Sequence, residues 1–304
     1  MNRFQIAFAA LRNDASCRIW EGALMVIIRR GFVDVGAGQI HYRRAGTARP
    51  GRRALVMLHS NPVSSRSLEP LMTRLAVDRL VVAPDTPGLG DSTPLAMIAP
   101  EIPDFARPVA AAIDALGLGA VDLYGSHTGA NMALELALQM PDRVGRLILD
   151  GIALYSPEER ADLLANYAQE MRPDLSGTYL LQAWHFMRDQ SVFWPWFHRT
   201  ADHLRQVGLP DARGLHANVL DVLKALETYH LAYRASFAYD KEGRLPKLTV
   251  PTLIATSRAD IFYGTQDRVA ALVPNGLKLD LPSTADPGYL DAAARAFAEF
   301  LDRA

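Results

Sequence analysis

Continuous apolar runs of strand length recur along the chain, and they constrain its fold more than any other feature. Helix-length stretches such as PDFARPVAAAIDALG and GANMALELALQM separate them. Strands that are apolar throughout and alternate with helices are typical of a parallel sheet covered on both faces. The pattern therefore predicts an α/β core. The runs are ALVMLHS (54–60), LVVAPDT (80–86), VDLYGS (121–126) and LILDG (147–151).

The same pattern places further strands at both ends and a helical insertion between them. FVDVGAGQIHYRRAG (32–46) has two extended runs around a glycine-containing turn, which predicts an antiparallel hairpin at the sheet edge. TLIATS (252–257) and LKLDLPS (277–283) resume the strand pattern before a closing helix. Between about 155 and 243 only helical periods occur. We expect an eight-stranded sheet interrupted by helices after its sixth strand.

Composition and charge exclude several classes of partner and cofactor. The chain has 304 residues and a formal net charge of −1, so its charge gives no reason to expect binding to nucleic acid or an anionic membrane. A single cysteine, Cys17, excludes an internal disulfide and indicates a reducing compartment, which predicts a cytoplasmic protein. No phosphate-binding glycine loop and no metal-ligand cluster is present, so we expect neither a cofactor nor a metal ion.

The first residues do not match the predicted core. An apolar run of about eight residues is closed by Arg12 and Asp14, and no signal-peptide cleavage site follows it. No stretch approaches the roughly 20 apolar residues that a membrane span needs. We interpret 1–31 as an N-terminal extension, with Met25 as a candidate true start.

The turn YGSHTGA (124–130) follows the third apolar run and precedes a helical stretch. Gly125 and Gly129 lie two places before and after His127, where a strand and a helix would pass close together. A frame centred on Ser126 would place Tyr124 and Thr128 at the crowded positions instead. His127 is therefore the residue at the apex of the turn.

The order of these motifs, together with LHSNP (58–62), DTPGLGDS (85–92) and Asp260 after the seventh strand, resembles the α/β-hydrolase superfamily. The resemblance covers residues about 32–304. It implies a core of 32–154 and 244–304 and a helical cap of 155–243. In that family the turn is a strained elbow that carries a nucleophilic serine.

Two members of the usual catalytic triad are missing. The apex is His127, and no histidine occurs between 231 and 304, where the family carries its general base; Asp286 or Pro287 occupies that position. Ser-His-Asp acyl transfer is therefore excluded. The resemblance places Asp260 at the position of the family's acid, with Asp150 as the alternative.

We hypothesise that the triad is condensed to a pair of His127 and Asp260. An imidazole reaches farther from the backbone than a serine hydroxyl, and Asp260 would fix its tautomer. The pull of Asp260 on the imidazole pKa and the opposing helix N-terminus suggest a near-neutral base. By resemblance, the backbone N–H groups of Asn61 and Thr128 form an oxyanion site, the Asn61–Pro62 bond is cis, and His59 braces the loop.

The cap segment supplies candidate substrate-binding residues. Aromatic residues on helices usually form a core, yet the cap roofs the pocket in this family. Arg188 could bind a substrate carboxylate or pair with Asp189. A small apolar or aromatic substrate follows. The candidates are Trp184, His185, Arg188, Trp194, Trp196, His230 and Tyr233.

These features favour a cofactor-independent hydrolase acting on a small ester, lactone or activated ketone, with His127 as base or nucleophile. A lyase or decarboxylase on the same fold is one alternative, because a base beside an oxyanion site can also abstract a carbon-bound proton. A catalytically silent ligand-binding homologue is the other. The sequence leaves a homodimer open.

Overall fold

One eight-stranded sheet forms the centre of the protein. A computed structural model describes residues 26–36, 38–205 and 207–303, and the predicted extension of 1–31 therefore lies largely outside the described residues. The first strand begins at Arg29, three residues before the predicted core. The strands are β1 (Arg29–Val35), β2 (Gly38–Ala45), β3 (Ala54–Leu58), β4 (Val81–Pro84), β5 (Val121–Ser126), β6 (Val144–Asp150), β7 (Thr252–Ser257) and β8 (Gly276–Leu281).

The strand order is β1-β2-β4-β3-β5-β6-β7-β8. The hairpin of β1 and β2 pairs antiparallel, β2 pairs antiparallel with β4, and the remaining pairings are parallel. The predicted mostly parallel sheet with an antiparallel edge is confirmed. The carboxyl ends of β5, β6 and β7 consequently lie side by side, and ligands of open α/β sheets bind at this edge.

Helices cover both faces of the sheet, as the unbroken apolar strands predict. Residues of β3 alternate between the faces. Val56 packs with the helices of residues 102–115, 128–139 and 266–272, whereas Met57 packs with those of residues 69–75 and 289–301. In the described part of the chain, no helix is long and apolar enough to cross a membrane. The core helices are α1 (Glu69–Leu75), α2 (Ile102–Ala115), α3 (Thr128–Gln139), α9 (Gln266–Leu272) and α10 (Tyr289–Leu301).

The segment between β6 and β7 is helical and has an apolar core of its own, in the place where the sequence predicts the insertion. Ser156 begins it with a reciprocal capping box, in which its side chain and that of Glu159 each accept a backbone N–H. Leu163, Phe186, Val222 and other buried residues then pack together. Its helices are α4 (Pro157–Asn166), α5 (Thr178–Val192), α6 (Ala212–Lys224), α7 (Tyr229–Ala238) and α8 (Lys241–Arg244).

Candidate active site

The turn between β5 and α3 holds His127 in a strained conformation. Its φ of 50° and ψ of −109° make it the only non-glycine residue with positive φ in the described ranges. A Cβ atom at Gly125 would collide with the backbone of Gly129, and one at Gly129 with the backbone of Leu58. The glycine spacing is therefore required by close backbone packing, and the strain projects the imidazole from the carboxyl edge of the sheet.

His127 and Asp260 lie in hydrogen-bond contact. The distance from His127 Nε2 to Asp260 Oδ2 is 2.7 Å. Asp260 follows β7, and its Oδ1 accepts the backbone N–H of Phe262 at 2.8 Å, so the carboxylate is held from both sides. The two side chains that the sequence analysis pairs are thus adjacent in the fold.

Gly151, directly after β6, makes room for this pair. A Cβ atom there would lie 2.5 Å from His127 Cδ2 and 2.6 Å from Nε2, and the residue has a φ of 67° that favours glycine. A side chain at this position would push the ring away from Asp260. No role was predicted for Gly151, although a glycine at the end of a strand was a visible signal.

Burial and the neighbouring carboxylates act in opposite directions on the pKa of the imidazole. Burial lowers the pKa of His127, but the negative charge and hydrogen bond of Asp260, helped by the charge of Asp150, outweigh burial and raise it above the ordinary value of 6.5. Burial conversely raises the pKa of Asp260, and the neighbouring His127 outweighs this and lowers it. Asp260 is therefore a carboxylate at neutral pH, and Nε2–H donates to it.

This hydrogen bond determines which nitrogen is free to act as a base. With Nε2 protonated, the lone pair of a neutral His127 resides on Nδ1. The imidazole lines a cavity beneath the cap, and the His127 side chain is 30% exposed. The arrangement supplies a base whose partner carboxylate stabilises the imidazolium that would form on proton uptake.

The loop predicted to provide the oxyanion site has a different hydrogen-bond pattern from the one expected. The Asn61–Pro62 bond is cis, as the resemblance implies. However, the Asn61 backbone N–H donates to Thr128 Oγ1 at 2.7 Å instead of pointing freely into the cavity. Tyr233 donates its hydroxyl to the Asn61 carbonyl at 2.9 Å and so ties α7 to this loop.

Three other residues weighed in the sequence analysis have local partners. Asp150 accepts the Tyr124 hydroxyl at 2.7 Å, and burial raises the pKa of its carboxyl to about 6. Asp286 accepts the backbone N–H of Ser283 within an exposed turn. His59 bonds the Ser60 carbonyl and accepts the Thr86 backbone N–H, which fits the expected bracing role.

The cavity beside His127 is small and has an aromatic wall. Its volume is about 80 Å³, whereas typical ligand pockets measure roughly 300–1,000 Å³. Of the seven cap residues predicted to bind substrate, Trp194 and Tyr233 line it. The aromatic residues around it are Tyr155, Tyr167, Trp194, Tyr233, Phe237 and Phe262.

The structure places the other five cap residues away from the His127 cavity. His185, Arg188 and Trp196 line a depression on the outside of the cap, and Arg188 forms an ion pair with Asp189 at 2.7 Å. Trp184 packs against the cap core, and His230 lines an outer groove. Other residues of α5 and α7 face the cavity. The amino-acid composition of a helix does not show which of its faces is turned toward the cavity.

Polar side chains that the sequence analysis missed also line the cavity. Each has a buried nitrogen or oxygen atom without a hydrogen-bond partner among the described residues. Polar side chains ordinarily face solvent, and only the backbone of Asn61 had been assigned a role, so these side chains were not predicted to line the cavity. Such atoms are costly to bury unless a ligand or water satisfies them. They are Asn61, whose side-chain amide is wholly unpaired, with Asn131, Gln190 and Arg205.

One group of described side chains has the spacing of a metal site, and none of its members lines the His127 cavity. His41, Asp85 and Asp91 offer ligand atoms within 4.8 Å of one another. Both oxygens of Asp85 already accept hydrogen bonds, from Ser65 and from His41 and the Asp91 backbone. This cluster braces the core loops.

Comparison with known proteins gives the same fold. Residues 53–280 match the family described as alpha/beta hydrolase fold. The 2-hydroxy-6-oxononadienedioate/2-hydroxy-6-oxononatrienedioate hydrolase 2 of Pseudomonas putida is 29% identical over 264 residues, covering 82% of this chain and 84% of that protein. Hydrolase 1 of the same name from Dechloromonas aromatica (strain RCB) is 35% identical over 141 residues, 44% of this chain and 46%, about half, of that protein.

A solved structure supports the fold independently of sequence. A thermophilic esterase from Thermogutta terrifontis superposes with a TM-score of 0.67 at 20% identity, covering 90% of this chain and 98% of that one. The family match extends over most of the chain, and the sheet order and elbow agree with it. The prediction of a hydrolase-family enzyme is thereby confirmed, and this chain belongs to the α/β-hydrolase family.

Proposed function

We propose that the protein hydrolyses a small carbonyl compound, with His127 as the general base and Asp260 as the residue that orients it. The observation that carries this proposal is the 2.7 Å contact between His127 Nε2 and Asp260 Oδ2 at the edge of a cavity. A positioned base near neutral pKa contributes a factor of roughly 10²–10⁴ to a proton-transfer step.

The reaction follows from the free nitrogen of the pair. A water molecule attacks the substrate carbonyl carbon while His127 Nδ1 takes one of its protons. The resulting imidazolium is stabilised by the Asp260 carboxylate. When the tetrahedral intermediate collapses, Nδ1 returns the proton to the leaving group, so the histidine ends the cycle neutral. No serine takes part, because the apex is His127 itself.

The polar cavity lining supports a substrate that carries a carboxylate. Arg205 lines the cavity; its Nη1 donates to the Gln190 carbonyl, and its Nε lacks a partner among the described residues. Guanidinium groups match carboxylates in geometry and charge. The names of the relatives describe a hydroxy-oxo diacid. A flat keto acid would place its chain against the aromatic wall and its carboxylate on Arg205.

The size of the cavity indicates that it must enlarge on binding. A volume of about 80 Å³ is below the range of roughly 300–1,000 Å³ for ordinary ligand sites. Entry of a conjugated acid therefore requires movement of cap side chains or of the cap itself. When the cap closes again over the bound substrate, it excludes bulk water and strengthens the electrostatic effect of the His127–Asp260 pair.

The test is turnover by wild type and His127→Gln of 2-hydroxy-6-oxo-dienoates, p-nitrophenyl acetate and aryl lactones. We expect kcat to fall by about 100-fold or more in His127→Gln. The matched control is His198→Gln, because His198 pairs with Asp162 on the cap and does not line the cavity. Equal turnover by wild type and His127→Gln would refute the proposal.

An isotope experiment separates hydrolysis from the lyase alternative. Hydrolysis in ¹⁸O-water places the label in a product carboxylate. A lyase or decarboxylase reaction that begins with proton abstraction from carbon would instead leave the carboxylates without ¹⁸O, whether or not deuterium from D₂O enters a C–H position. The second pattern would replace hydrolysis by a lyase or decarboxylase reaction that uses the same base.

A further inference from the structure

The Thr128 hydroxyl occupies the place where the oxyanion site was expected. It accepts the Asn61 backbone N–H at 2.7 Å, and both residues are only 8% exposed. Thr128 is also the first residue of α3, so its own backbone N–H has no carbonyl partner within the helix. A substrate oxygen entering this corner therefore meets a hydroxyl as well as backbone amides.

A hydroxyl that accepts one hydrogen bond is a better donor of another. The bond from Asn61 polarises the Thr128 O–H group, because hydrogen bonds in a chain strengthen one another. Within 26–36, 38–205 and 207–303, Thr128 Oγ1 has no acceptor for its own proton. Thr128 lines the same cavity as His127, and the positive end of the α3 dipole lies there.

We propose that Thr128 is a catalytic residue whose hydroxyl donates a hydrogen bond to the developing oxyanion, with the Asn61 amide polarising it from behind. This inference rests on the proposed function and assigns a further group to it. The sequence predicts that the Asn61 backbone N–H contacts the substrate oxyanion directly. In the proposed arrangement the Thr128 hydroxyl makes this contact instead. The charge on the substrate oxygen is then shared by Thr128 Oγ1–H and the free N–H groups at the start of α3.

A purely obstructive hydroxyl would have the opposite effect. If Thr128 Oγ1 only blocked the Asn61 amide, its removal would free that amide for the substrate and raise turnover. If it is the donor, its removal lowers turnover. The sign of the change therefore discriminates between the two roles.

The experiment compares Thr128→Val and Thr128→Ala with wild type, on whichever of the esters and dienoates above wild type hydrolyses. Valine keeps the shape and removes the hydroxyl, and alanine removes it without bulk. We expect kcat to fall by about 100-fold in both, as for loss of one oxyanion donor, with little change in KM. Thr128→Ser should restore most of the lost turnover. Thr73→Val, at an exposed helical threonine, is the matched control.

Both hydroxyl-free variants are first checked for a wild-type melting temperature, and a variant that has unfolded is replaced by the other. Undiminished or increased kcat in the folded variant would overturn the inference. Loss of activity in His127→Gln combined with full activity in Thr128→Val would refute the role of Thr128 alone. Full activity in His127→Gln would refute the proposed function itself.

Discussion

At the scale of the single residue, four features of its surroundings position the imidazole of His127. The strained backbone projects the ring from the sheet edge, Gly151 leaves space for its Nε2 edge, and Asp260 accepts the Nε2–H bond. Phe262 packs edge-on against the ring, with centroids 5.2 Å apart. The ring is thus positioned from several sides before any substrate binds, which is what a general base requires.

The proposed base gives a defined pH dependence. His127 must be neutral to accept a proton, so kcat/KM should rise with pH through the pKa of the free enzyme. Burial lowers that pKa, but the charge and hydrogen bond of Asp260 together with the charge of Asp150 outweigh burial, so the pKa lies above 6.5. In Asp260→Asn, burial acts with less opposition, and the midpoint should move to lower pH while the plateau rate falls. Profiles of kcat/KM against pH for both proteins test this; coincident midpoints would contradict it.

The sequence was sufficient to identify the residues fixed by backbone geometry. The two glycines around His127 predicted its apex position, and the resemblance to the α/β-hydrolase family predicted that Asp260 lies nearby. Arg205 was not predictable, because it lies in a helical cap segment where an arginine ordinarily faces solvent. Its place at the cavity depends on tertiary packing of the cap.

At the scale of the element, α7 separates two environments. Tyr233, Ser236 and Phe237 face the His127 cavity, whereas His230 and Arg234 face an outer groove. Both faces carry aromatic or ionisable residues, so the helical period could not show which face is turned inward. This explains why Tyr233 was placed at the cavity and His230 was misplaced.

The hydrogen bond from the Tyr233 hydroxyl to the Asn61 carbonyl should stabilise the packing of α7 against the loop that carries Asn61. Tyr233→Phe keeps the ring and removes only the hydroxyl. We expect the free energy of unfolding to fall by about 1 kcal/mol, measured by urea denaturation. Tyr179→Phe on α5 is the control, since the Tyr179 hydroxyl makes no side-chain hydrogen bond in the described part of the chain. Identical unfolding curves for Tyr233→Phe and wild type would contradict the role.

At the scale of the whole molecule, the cap is attached to the core by apolar packing, in which Val63 and Leu89 join the cap cluster, and by polar contacts near the sheet's carboxyl edge. Asp221 on α6 accepts hydrogen bonds from the backbone and hydroxyl of Ser64 and pairs with Arg66 at 2.9 Å. Lys224 pairs with Asp91 at 2.7 Å. Hydrogen-bonded contacts of this kind can be exchanged for water, which is compatible with a cap that moves to admit substrate.

Asp221→Asn should loosen this attachment. The amide replaces a buried carboxylate that accepts three hydrogen bonds, and each bond to a charged group contributes about 1.5–3 kcal/mol. We expect faster amide hydrogen exchange in α6 and α7, with exchange in β5 unchanged. Asp202→Asn, at an exposed cap position, is the control. Equal exchange rates in α6 for Asp221→Asn and wild type would argue against an attachment at this point.

The overall architecture was the most predictable part of the molecule. Strands buried on both faces must be apolar throughout, and this requirement is visible in the sequence. The interior of the cap was not predictable, because its helices bury residues on more than one side and its cavity has no backbone signature. Prediction was therefore reliable where the backbone imposes the residue type and failed where only side-chain packing decides.

The space at Gly151 constrains which residues can occupy positions 127 and 151 together. Any larger residue there would overlap the imidazole and would also carry a disfavoured backbone angle. The contact between an imidazole at the bend and Asp260 therefore requires glycine at position 151. Members of this family that combine a histidine at the bend with glycine after the sixth strand should share this rearranged pair, and the two letters together offer a way to find them.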